Sequence, residues 1–174
     1  MNNISERVIE KNIEKISETL NGIFDNIQTV SDHLKLLWLQ FGENGRKPTS
    51  DDIKGILSTI DEVLANAESY MVGAGVVFAP DILQDQEKYI EWRRYNERGE
   101  IESLRLNFYE NSESYYDYTN RPWFGSPRDK GVAYIEGPYI DLFGQNSYIL
   151  TCVLPLVIDN KFIKAKKRES ALEL

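Results

Sequence analysis

Tyr115-Tyr116-Asp117-Tyr118-Thr119-Asn120-Arg121-Pro122-Trp123-Phe124, followed one strand length later by Gly137-Pro138-Tyr139-Ile140-Asp141, is the part of the chain that looks most like a site. It gathers a guanidinium, carboxylates, two large flat rings and several phenol hydroxyls. Those are the groups needed to hold a small zwitterion or carboxylate. Arg121 offers a planar fork that grips a carboxylate bidentately. Trp123 and Phe124 supply apolar walls, and Tyr116 and Tyr139 have hydroxyls that donate to an oxygen or accept from an amine. Asp141 is the natural partner of an ammonium group. Without a ligand, the same residues would pack the sheet, with Arg121 and Asp141 pairing with each other.

On either side of this stretch lie short β runs: residues 71–79, 89–95, 101–108, 133–136 and 148–158. Asn96-Glu97-Arg98-Gly99-Glu100 reads as a hairpin turn. The connection from Tyr109 to Gly131 is long for a compact domain, which marks it as functional or as holding a short helix of its own.

Further out, Ile4, Val8, Ile13, Ile16, Leu20, Ile23, Ile27, Val30, Leu34, Leu37 and Phe41 recur at steps of mostly three and four. That is the stripe of a long amphipathic helix over 4–41. Such a helix exceeds what a compact domain needs, so part of it must lie along a sheet or pair with another helix, and a homodimer through it is one solution. Glycines and Pro48 end it. Thr49, Ser50, Asp51 and Asp52 then offer an N-cap and first-turn acids for a second helix to about Ala67. The whole reads as one α+β domain of 174 residues: a helical part over 1–67, a sheet and ligand loop over 70–163, and an atypical basic tail over 164–174.

A formal charge of -8 argues against a nucleic-acid surface. No apolar run is long enough for a membrane span, and no signal peptide opens the chain, so as written it reads as cytoplasmic. Cys152 is the one cysteine and His33 the one histidine, which excludes a disulfide framework, a Cys-based metal cluster and a His triad. Cys152 reads as a small buried apolar residue, and His33 as a helix-surface residue. Gly73-Ala74-Gly75 is no dinucleotide fingerprint, so no cofactor is expected. An enzyme using Asp117 and Asp141 as a carboxylate pair has no accompanying motif.

The string Tyr-Asp-Tyr-Thr-x-x-Pro-Trp-Phe-x-x-Pro-Arg-Asp-x-Gly over 116–131, with Gly137 to Asp141, Tyr148 to Thr151 and the run from Pro155 to Phe162, resembles the membrane-distal module of Cache, or PDC-like, sensor domains. Gly73 to Pro80 and Glu91-Trp92-Arg93 resemble its first strands. The resemblance implies a PAS-like antiparallel sheet flanked by the long helix, with a small ligand between sheet and aromatic loop. It also implies a non-catalytic sensor. In the amino-acid-binding branch, the ligand-binding pattern falls on Tyr116, Arg121, Trp123, Phe124, Tyr139 and Asp141, with Phe124 standing where a tyrosine is usual. Arg121 and Trp123 would hold the ligand carboxylate, and Asp141 the amine. The usual last strand, with a second acid, is replaced by the basic tail. Most relatives are extracytoplasmic parts of chemoreceptors and kinases, which sets an extracytoplasmic fragment against the cytoplasmic reading. The rival from another class is a structural protein that dimerises through the long helix and fills the pocket with its own side chains.

Overall fold

The computed structural model describes residues 2–43, 45–67, 70–142, 147–158 and 161–162. Helix α1 runs from Asn2 to Glu43, a little past the predicted limits at both ends. The second helix is three pieces in line: α2 (Ser50–Ile53), a 3₁₀ turn (Lys54–Ile56) and α3 (Leu57–Asn66). The Thr49 hydroxyl accepts from the Asp52 amide while the Asp52 carboxylate accepts from the Thr49 N–H, a reciprocal cap that satisfies two donors the first turn leaves open. Arg46 clasps the same carboxylate with both Nη atoms, at 2.6 and 2.9 Å, and this clasp is the first cause of the strongly lowered Asp52 pKa.

Three antiparallel strands follow as one ladder: β1 (Gly73–Val77), β2 (Ile90–Tyr95) and β3 (Ile101–Ser103). The turn between β2 and β3 closes as expected, with the Asn96 N–H donating to the Glu100 carbonyl at 2.9 Å. The third strand is shorter than the predicted 101–108, because the chain peels away after the Leu104 N–H bonds the Trp92 carbonyl. The long connection does contain a helix, α4 (Pro122–Lys130). Pro122 opens it, where a missing N–H costs nothing, and Gly131 closes it at φ 69°.

Strand β4 (Tyr134–Asp141) pairs antiparallel with β5 (Ser147–Val153), and β6 (Val157–Ile158) with β7 (Lys161–Phe162). The predicted 148–158 run is thus broken at Pro155, which has no N–H for a ladder. The architecture is α+β with antiparallel sheets, as expected. Among the described residues, β4 and β5 form a ladder separate from the β1–β3 sheet, and β1 is an edge strand. The basic tail 164–174 lies outside the described residues.

Side chains alternate across β1 and β2. Ala74, Val76 and Phe78 meet the helices, joining Val30, Leu34, Ile53, Ile56, Ile60 and Leu64 in one aliphatic core. Arg93 on the same face forks onto Asp61 of α3 at 2.6 and 2.9 Å, and the Tyr95 hydroxyl donates to the Leu64 carbonyl at 3.0 Å. These bonds fix α3 against the sheet. His33 joins this layer and corrects the surface reading: its Nδ1 lies 2.5 Å from the Thr59 hydroxyl, half-buried between α1 and α3.

Candidate functional site

On the other face of the sheet, Val77 and Ala79 meet Tyr116, Tyr118 and Phe124. Tyr118 is fully buried, and its hydroxyl donates to the Phe78 carbonyl at 2.7 Å, pinning the aromatic loop to the end of β1. Phe124 stands edge-on to Tyr118 and to Trp123, at 5.1 and 6.3 Å between centroids. Trp92 lies across β1 at Gly73 and Gly75. A methyl at Gly75 would collide with the Glu91 carbonyl and come within 2.8 Å of the Trp92 ring, so this strand contact requires glycine.

A bulge between Glu136 and Tyr139 decides where β4 points its polar groups. Beyond it, Tyr139 pairs with Ile149 and Asp141 with Ser147, placing Tyr139 and Asp141 on the face that Ile149 and Thr151 share. The Tyr139 and Thr151 hydroxyls are 2.6 Å apart.

These elements enclose a cavity of about 290 Å³ that is mostly apolar. Of the six residues singled out in the sequence, Tyr116, Trp123, Phe124, Tyr139 and Asp141 line it together. They come from the loop, from α4 and from β4, so the fold assembles them from three separate places. Arg121 does not line the cavity. It is exposed at the N-cap of α4, with its guanidinium 5.6 Å from the centre of the Tyr116 ring, and so stands at the cavity's rim. Secondary to burial, the charges of Arg121 and Asp141 both act on the Tyr116 and Tyr139 phenols, Arg121 lowering and Asp141 raising their pKa values.

Burial, partly offset by Arg121, pushes the Tyr116 phenol up to about 12, and burial also raises Tyr139. Both are neutral donors at ordinary pH. Asp117 faces elsewhere: its carboxylate accepts from the Thr119 hydroxyl at 2.6 Å and the Asn120 amide at 2.5 Å, and the Thr119 bond leads in lowering its pKa. It does not line the cavity, whereas Asp141 does, so the cavity does not bring the two carboxylates together. Cys152 also lines the cavity, half-buried, with burial pushing its thiol up. Sequence reasoning missed the apolar back wall, where Ile27 and Val30 of α1 meet β1 and β5. It also gave no role to Arg128, although Arg128 falls four residues after Phe124, on the same side of α4.

An antiparallel sheet flanked by a long helix, with an aromatic-walled cavity whose back wall the helix helps to form, is the layout of a PAS-like sensor domain. Residues 56–165 match the family described as methyl-accepting chemotaxis protein-like, first PDC sensor domain, and the chain belongs to that family. No curated protein and no solved structure matches it. No helix among the described residues is long and apolar enough to cross a membrane, and none of their His, Cys, Asp and Glu side chains cluster as a metal site.

Proposed function

We propose that this chain is a non-catalytic sensing domain for an amino acid or short carboxylate. The observation that carries the reading is the convergence of Tyr116, Trp123, Phe124, Tyr139 and Asp141 on one open cavity, with the Arg121 guanidinium held at its rim. In this reading Arg121 clamps the ligand carboxylate and Asp141 meets the amine. The Tyr116 and Tyr139 hydroxyls direct hydrogen bonds, and Trp123 and Phe124 form the walls. The open cavity also favours a ligand site over a pocket filled by its own side chains.

Ligand would hold α4 and the aromatic loop against the sheet and so shift the population of sheet and helix positions. The output lies along α1. From Ile23 onward its apolar stripe packs on the core, but Val8, Ile9, Ile13 and Ile16 are more than half exposed. A second copy of the chain pairing along this bare stripe completes the proposed signalling unit.

A thermal-shift screen against common amino acids and short carboxylates tests the reading. Ligand at 100 times its dissociation constant adds about 2.7 kcal/mol, several degrees for a domain of this size. A selective hit lost in Arg121→Ala is the expected result. A folded protein that responds to none of them sinks the proposal.

A further inference from the structure

Arg128 lies seven residues beyond Arg121, two turns on along the same side of α4. Unlike Arg121, it lines the cavity, with its guanidinium 5.6 Å from the centre of the Phe124 ring. Arg128 and Asp141 are the charged residues among those lining it; all the others are neutral. In a chain of net charge -8, an arginine in the lining of an apolar cavity is a local reversal of the overall field.

The guanidinium of Arg128 is clasped at two points, Nε at 2.8 Å and Nη2 at 3.3 Å, and a ligand must compete with that clasp. Its partner is Asp129, the next residue, at 2.8 Å, and Asp129 is mostly exposed. Such a pair contributes little in solvent. A carboxylate inside the cavity offers the same fork geometry with less competition from water. Seven residues of helix rise separate the two arginines by roughly 10 Å along the axis. Two long side chains rooted at those points, one at the rim and one in the lining, can hold both ends of a short molecule.

We propose that Arg128 is a second anion-binding group and that it sets ligand class: a small molecule with two carboxylates, an acidic amino acid or a short dicarboxylic acid. One carboxylate meets Arg121 at the rim, and the other displaces Asp129 from Arg128. This deepens the sensor reading above and rests on it.

Calorimetric titration of the full chain with two matched pairs, glutamate against glutamine and glutarate against pentanoate, tests the assignment. The wild type should bind the dianionic member of each pair about tenfold more tightly or better, as expected for a charge-assisted bidentate contact. Arg128→Gln should erase that preference by weakening the diacid while leaving glutamine and pentanoate unchanged. Arg128→Lys should restore part of it, and Arg121→Ala should weaken both members. Thermal unfolding of each variant confirms the fold. Equal wild-type affinity within the pairs, or an Arg128→Gln variant that weakens both members alike, overturns the role of Arg128 and leaves the sensor reading standing. If none of the four binds to the wild type, the carboxylate-sensor reading falls and this inference with it.

Discussion

The two faces of the β1–β2 sheet are built from different materials. Toward the helices, Ile53, Ile56, Ile60 and Leu64 are fully buried and make an aliphatic layer. Toward the loop, the layer is aromatic and hydroxyl-bearing, and it encloses a cavity. An aliphatic layer packed at crystal-like density stabilises by excluding water and offers a ligand only apolar contact. An aromatic layer leaves hydrogen-bonding groups at fixed points around unfilled space, which a ligand can use. Stability rests mainly on the first face and the proposed recognition on the second, although Val30, Leu34 and Val63 of the helical layer also reach the back wall of the cavity, and five-residue β1 is shared by both.

The sharpest way to break that division is Ile60→Ala. Ile60 is wholly buried between α3 and the sheet, so truncation should cost roughly 2–5 kcal/mol from lost transfer energy and the cavity left behind. Chemical denaturation reads the loss directly. A cost below about 1 kcal/mol would mean that the helical face is not what holds the domain together.

Alkaline pH probes the aromatic face. In the unfolded chain Tyr116 ionises near 10, whereas in the fold it keeps its proton up to about 12. The folded state therefore binds more protons between those values, and stability falls as pH climbs through that window. Below about pH 9 this group contributes no slope. The full loss is on the order of 2 kcal/mol, and Tyr116→Phe should flatten the decline when denaturation midpoints are followed from pH 8 to 12. An unchanged slope in the variant would assign the alkaline sensitivity to other phenols such as Tyr118, whose pKa burial also raises.

The helical face was the easier to read from sequence, because periodicity reports burial. The stripe from Ile4 to Phe41 predicted α1, and the cap at Thr49 predicted the start of the second helix. The aromatic face was legible in its residue types but not in its geometry. Gly137-Pro138 looks like a strand end, yet a bulge carries β4 through it to Asp141. Helix α4 has no apolar stripe, and with Gly125 and Pro127 inside it, only Pro122 and Gly131 betray its limits. The side from which each arginine approaches depends on that hidden helix. Sequence could nominate Arg121 by its neighbours, but the placing of Arg121 at the rim and Arg128 in the lining follows from the helix alone.

A third apolar surface should barely affect monomer stability. The exposed stripe at Ile9, Ile13 and Ile16 continues the buried one on the same helix, so its removal separates folding from association. Ile13→Asp with Ile16→Asp should change the stability of a monomer by no more than about 0.5 kcal/mol, the usual range for surface substitutions. If a second copy covers the stripe, each aspartate would be buried opposite apolar side chains, and the dimer should dissociate. Sedimentation of wild type and double variant over a range of concentrations reads the difference. A wild type that is monomeric at the highest concentration removes the paired-helix output, leaving the cavity as the only proposed functional surface of the two-faced sheet.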